Sequence, residues 1–191
     1  MTTKAQLLTI ADWDALPHGD GNRYEIIEGD LFVSRSPGIP HQIVSDNLLV
    51  LLRNFLKLNR IGTAISVPGV ILGENSGVIP DLVYFSNESQ QRVRSGDRLR
   101  SAPDLVIEIL SKGAENTRRD RVVKRQLYAK HGVPEYWIID CQNRAIEVYR
   151  LHGRSLELDT IFGNGDELST SSLPGFACAV REIFEDLRNW E

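Results

Sequence analysis

Cysteine is almost absent from this chain: 191 residues contain only Cys141 and Cys178. Neither stands in a C-x-x-C or Cys/His ligand spacing, which excludes a structural zinc and a disulfide framework. Long apolar runs are missing too. No stretch approaches the ~20 residues a membrane-spanning helix needs. The opening MTTKAQLLTIADWDALP shows no signal-peptide core ahead of its acids, so a cytoplasmic location is expected. Internal repeats, low-complexity tracts, a P-loop, a zincin motif and a serine nucleophile elbow are all lacking. Gly19-x-Gly21 is no phosphate-cradling fingerprint, because no strand leads into it and no helix follows. Nor is there an excess of positive charge. The formal charge is -4 and the pI near 5.6, which argues against nonspecific attraction of the whole surface to nucleic acid.

What is present is a composition for one globular domain over residues 1–191, with 41% hydrophobic and 25% charged residues. Charge is unevenly distributed. Between Arg92 and Lys130 there are 11 Lys and Arg against 5 Asp and Glu, a local balance of +6 that leaves -10 for the rest. Such a run reads either as a solvated face or as a groove that tracks phosphates.

The stretch from Ala102 to Asp140 carries the chemistry. Glu108 lies within Leu105, Val106, Ile107, Ile109 and Leu110, a run apolar enough for a strand covered on both faces. An unpartnered carboxylate there would cost several kcal/mol, so it either reaches a sheet edge, pairs with a nearby arginine, or serves a site. Asp81 is set similarly in VIPDLVYF, where Pro80 marks a strand start. Carboxylates on neighbouring strands can share a divalent cation, and oxygen-only ligands favour Mg²⁺ or Mn²⁺. A helix follows in RRDRVVKRQLYAKHG, with Val123 and Leu127 as its inward stripe. Lys124 borders that stripe, with Asp120 four residues before it and Tyr128 four after on the same face. It either snorkels to water or acts as a catalytic cation beside the two acids.

These stretches, with YEIIEGDLFV, His41-Gln42 at a helix start and GVPEYWIID, resemble the bacterial restriction-endonuclease domains of the PD-(D/E)XK nuclease superfamily. The likeness covers most of the chain. It implies a restriction-endonuclease-like α/β fold, a metal-dependent endonuclease acting on DNA, and Asp81, Glu108 and the backbone carbonyl of Ile109 as metal ligands. It departs from the superfamily pattern at Leu110, which stands where a lysine is expected two residues after the glutamate. Lys124 matches the substitute lysine that this family places on the helix, which makes Asp81, Glu108 and Lys124 the catalytic set. The resemblance also includes Glu28, held as a contributor near the metal. His41 and Tyr128 join it as further site candidates. Arg118, Arg119 and Arg121 are the candidate nucleic-acid contacts. With the lysine displaced, a catalytically weak module that binds nucleic acid as an accessory protein is the alternative.

In chain order, Thr9 is expected to cap a short helix ending before Pro17, and HGDGN to be a loop. Tyr24–Ile27 and Leu31–Val33 read as a hairpin turning at Glu28, Gly29 and Asp30. Val44, Leu48, Leu51, Phe55 and Leu58 recur at helical spacing from His41 until Gly62. His41 at that helix start is either structural or a partner for a phosphate or a site carboxylate. Residues 63–67 and 70–72 read as strands, GENSG as a turn, and 87–100 as a polar loop over the site with a short helix near Gln90. Asn116 or Thr117 is expected to cap the Lys124 helix and Gly132 to stop it. Tyr136–Asp140 should return as a strand, completing a strand-helix-strand crossover with Trp137 in the core. The expected architecture is a mixed central sheet flanked by helices. Residues 145–151 and 155–162 extend it as an antiparallel hairpin suited to a homodimer edge, and Val180–Leu187 closes the chain as a helix.

Overall fold

The computed structural model describes residues 7–17 and 19–187. His18 of the expected HGDGN loop and the first residues of the chain lie outside the described residues. Helix α1 (Ile10–Asp14) begins at Thr9, whose hydroxyl and Asp12 form a reciprocal capping box. Strands β1 (Asn22–Ile27) and β2 (Asp30–Arg35) pair as a hairpin. Its turn residues Glu28 and Gly29 have φ of 53° and 90°, the positive values that a tight primed turn demands and that glycine adopts without cost.

Helix α2 (Ile39–Asn59) starts with proline in its first turn and buries Val44, Leu48, Leu52 and Leu56. Each such side chain contributes about 1.5–3 kcal/mol. The stripe is thus rotated from the expected one: Leu52 and Leu56, not Leu51 and Phe55, lie deepest, and Leu58 is exposed. The helix also ends before Gly62, at Arg60, which adopts the left-handed conformation and donates its N–H to the Leu56 carbonyl.

The central sheet joins β3 (Gly62–Ser66), β6 (Leu82–Ser86), β9 (Leu105–Ile109), β10 (Glu135–Asp140), β11 (Ala145–His152) and β12 (Ser155–Gly163) in the order β12-β11-β10-β9-β6-β3. Only β9 and β10 are parallel, as the strand-helix-strand crossover requires. The β11–β12 hairpin is formed as expected, and Trp137 is fully buried with its indole N–H on Glu135. Side chains alternate across the sheet. Ile107, Ile109, Trp137 and Ile139 pack with α2. Val83, Val106, Tyr136 and Ile138 face the other way.

That second face is covered by elements the sequence did not separate. A further sheet contains β4 (Val70–Gly73), β5 (Ser76–Val78), β7 (Arg94–Ser95) and β8 (Arg98–Leu99) with the first hairpin, in the order β2-β1-β5-β4-β8-β7. Ser76 and Gly77, expected within the GENSG turn, therefore lie with Val78 in a strand whose three residues are all buried. Residues 87–100 contain the helix expected near Gln90 but are no loop over the site. They form α3 (Asn87–Val93) and the β7–β8 hairpin, anchored by buried Ser89, Val93 and Leu99.

The crossover helix runs as α4 (Ala114–Arg118), a π-helical segment (Arg119–Lys124) and α5 (Arg125–Lys130). It starts at Gly113 rather than at Asn116 or Thr117, and stops at His131 before Gly132, whose φ is 77°. Strands β13 (Glu167–Ser169) and β14 (Ala177–Ala179) pair separately, and the closing helix α6 covers only Val180–Ile183.

Candidate active site

Asp81 immediately precedes β6, and Glu108 is the fourth residue of the neighbouring β9, where both flanks are apolar. Parity along the strands sends both side chains to the face beneath the crossover helix and the second sheet. Both are almost wholly buried, at 3% and 2% exposure. Asp81 accepts hydrogen bonds at Oδ2 from the Ile109 backbone N–H (2.9 Å), with His41 Nε2 at 3.0 Å, and at Oδ1 from Arg23 Nη1 (2.9 Å). Glu108 accepts from Lys124 Nζ (2.9 Å) and the Tyr128 hydroxyl (2.7 Å). Both bonds fall on Oε1, so Oε2 takes no hydrogen bond among the described residues.

Lys124 does not snorkel. It is 1% exposed and lies 2.9 Å from both Glu108 and Glu25, with Asp120 at 3.9 Å. The π-helical segment has a residue at each end of this contact, Asp120 and Lys124, both buried. Widened helical turns of this kind concentrate at functional positions. Glu25, on β1, was not among the sequence candidates. Its Oε1 also accepts the Ile79 backbone N–H at 2.7 Å, which ties the second sheet to the site. The signal was available: Glu25 sits in YEII beside Ile26 and Ile27, the same acid-in-an-apolar-run pattern that singled out Glu108.

Glu28 is a correction. At the hairpin turn it is half exposed and pairs with Lys130 on the surface, because the left-handed turn geometry directs it away from the buried face where Glu25 lies. Two of the three candidate arginines also have internal partners. Arg119 pairs with Asp120, and Arg121 with Asp140 and Glu147. Arg118 is exposed on the helix. In the former loop region, Arg92 pairs with Asp104 and Arg98 with Asp14.

Four buried carboxylates, Glu25, Asp81, Glu108 and Asp120, thus face three permanent cations, Arg23, Lys124 and Arg119. The carboxylates outnumber the permanent cations by one, and His41 lies beside Asp81 as a further partner. Burial pushes the Glu108 carboxyl up to about 8 against the pull of Lys124, and Asp81, Asp120 and Glu25 reinforce the rise. Burial works the same way on Asp81, but His41 and Arg23 override it and hold that carboxyl well below the usual range. Desolvation opposes the charge on Lys124, yet Glu108, Glu25 and Asp120 together raise it above its ordinary value. Lys124 therefore stays protonated, and the surplus is relieved by a proton on Glu108 or by an added cation.

Among the described residues no set of three or more His, Cys, Asp or Glu side chains is disposed to hold a metal ion. The set implied by the resemblance needs only two carboxylates and a peptide carbonyl, and it fits a hard cation. The surplus carboxylate and the hydrogen-bond-free Oε2 of Glu108 supply the electrostatic demand and an oxygen donor.

The family model described as "Uma2: Putative restriction endonuclease" matches residues 10–181. The chain belongs to the Uma2 family. No curated protein matches it. The Uma2 chain is also similar to the crystal structure described as "a putative nuclease belonging to DUF820" from Anabaena variabilis. The TM-score is 0.73 at 21% identity, over 93% of this chain and 97% of that one. At that identity the likeness establishes the shared fold, a mixed α/β architecture, and the family match places this Uma2 chain among restriction-endonuclease-like proteins.

Proposed function

We propose that the protein is a single-domain, Mg²⁺- or Mn²⁺-dependent endonuclease that hydrolyses phosphodiester bonds of DNA in the cytoplasm. The observation that carries this reading is the convergence of Asp81, Glu108 and Lys124 in one buried cluster in which carboxylates outnumber permanent cations. Asp81, Glu108 and the Ile109 carbonyl would hold the cation, which when bound lowers the pKa of a coordinated water and polarises the phosphate. Arg23 and His41 keep Asp81 ionised at neutral pH. Tyr128 orients Glu108 by donating to Oε1. Lys124, held protonated, offers fixed positive charge to the charge that develops on the phosphoryl oxygens. Arg118 is the candidate phosphate contact that remains when Arg119 and Arg121 serve internal carboxylates. The edge strand β12, with exposed Leu158 and Ile161, is the candidate homodimer edge.

The accessory-module reading draws on a different observation. Asp81 already has Arg23, and Glu108 already has Lys124, so the cluster is largely compensated without a metal. Cleavage of plasmid, linear single-stranded and branched DNA in Mg²⁺ or Mn²⁺, with Glu108→Ala prepared identically, separates the two. Cleavage by the parent alone supports the nuclease. Salt-sensitive DNA binding with no turnover by either protein supports the accessory module. Equal cleavage by parent and Glu108→Ala overturns the mechanism.

A further inference from the structure

A cavity of about 370 Å³ opens beside the carboxylate cluster, lined in part by Trp13, Asn22, Arg23, Tyr24, Ser36 and Arg98. Arg23 belongs to both places. Its two hydrogen bonds, to Asp81 and to the Ile79 carbonyl, use Nη1 alone. The Nε and Nη2 groups have no partner among the described residues, and the side chain is 19% exposed. That free edge of the guanidinium is the one that grips a phosphate through two parallel hydrogen bonds. Farther along the wall, the Arg98 guanidinium lies over the Trp13 ring at 4.9 Å and is fixed from the side by Asp14. Trp13 is itself immobilised, with its indole N–H on the Tyr24 carbonyl and its ring packed against Gly77. The wall therefore presents a rigid, flat cation with Tyr24 nearby. Aromatic rings and arginine planes of this kind stack unpaired bases. A water takes about 30 Å³, so the space corresponds to roughly twelve waters, the bulk of one base with its sugar.

We propose that this cavity receives one unstacked nucleotide of the DNA substrate. Its phosphate rests on the free edge of Arg23, and its base stacks on the Arg98 plane. The inference rests on the nuclease reading and narrows it. The phosphate on Arg23 neighbours the scissile one, because the same guanidinium holds Asp81. A base inside a duplex cannot enter the cavity without leaving its stack, so the substrate class is single-stranded DNA, or a junction or flap with an unpaired nucleotide at the cut.

Two readouts test it on the whole chain. In Mg²⁺, a labelled single strand should be cut at least tenfold faster than the same sequence as a blunt duplex. Moving one abasic position along the strand should slow cleavage about tenfold at a single fixed offset from the cut, in line with the loss of one stacked base. Independently of turnover, 2-aminopurine placed in the unpaired strand should lose fluorescence on binding to the parent. The loss should disappear with Arg98→Ala, a variant checked to melt like the parent. Equal rates on both strand forms with no abasic offset overturn the cavity assignment and leave the nuclease standing. Fluorescence loss without cleavage of any substrate keeps the cavity and removes the nuclease.

Discussion

Replacing Lys124 by methionine keeps the unbranched stem of the side chain and removes its charged end. The Nζ it deletes lies 2.9 Å from Glu25 and 2.9 Å from Glu108, with all three side chains at 3% exposure or less. Breaking a buried pair from one side costs about 3–5 kcal/mol, because the remaining charge has no solvent to turn to. A domain of this length shifts its Tm by roughly 2–4 °C per kcal/mol, so Lys124→Met should melt about 10 °C below the parent. The double variant Lys124→Met/Glu108→Gln removes one of the two stranded carboxylates and should recover part of the loss; Glu25 keeps only the Ile79 N–H. Thermal unfolding followed by circular dichroism at pH 9 in low salt, where the Glu108 carboxyl of the parent is ionised, measures all three proteins. A Lys124→Met variant melting within about 2 °C of the parent would refute the reasoning, because the ammonium would then contribute nothing to carboxylates buried beside it.

The raised Glu108 carboxyl predicts a sign for the pH dependence. Between the unfolded value of about 4.3 and about 8, the folded chain holds a proton that the unfolded chain releases. Metal-free stability should therefore fall as pH rises through that window, by up to about 1.4 kcal/mol per unit from this group. Denaturant titrations at pH 5.5, 7 and 8.5 check it, and stability that rises across the series contradicts it. By the same linkage, Mg²⁺ binding at pH 6.5 should release close to one proton in calorimetry, and its affinity should level off above pH 8. Glu25→Gln should cost about 1–3 kcal/mol, because it leaves buried Lys124 with a weaker partner. Glu28→Gln, at an exposed pair, should stay within about 0.5 kcal/mol. Gly77→Ala should destabilise by about 1–3 kcal/mol, since its Cβ would stand 2.3 Å from the ring of Trp13.

The site was legible wherever an acid interrupted an apolar run. Asp81 and Glu108 stand out for that reason, and the candidates His41 and Tyr128 lie within hydrogen-bond distance of them. Glu25 was passed over in favour of Glu28, three residues on, because a hairpin turn hides which of two nearby acids the strand parity buries. The depth of Lys124 could not be read from a helical pattern with ideal periodicity, since the π-helical segment resets the face the helix presents. In the fold, the central sheet followed from its apolar strands. The second sheet did not, because its strands are two to six residues long and separated by Gly, Asn and charged residues that read as turns. The arginines between Arg92 and Arg121 read either as a solvated face or as a phosphate-tracking groove, yet several are taken up by acids: Arg92 by Asp104 within the run, Arg98 by Asp14 and Arg121 by Glu147 from outside it.

The contacts of Arg23 with Asp81 and of Glu25 with Lys124 tie the second sheet to the central sheet and to the crossover helix packed on it. Assembly of the charged cluster and docking of the two sheets are consequently one event. A partly folded chain that has built only the central sheet and its crossover helix keeps the Lys124–Glu108 pair but leaves Asp81 without Arg23 and Lys124 without Glu25. Cation uptake acts on that same equilibrium, adding RT ln(1 + [L]/Kd) to the docked state. Amide exchange in β1 and β5 should therefore slow as divalent cation is added, while exchange in β10, at the centre of its own sheet, should change little.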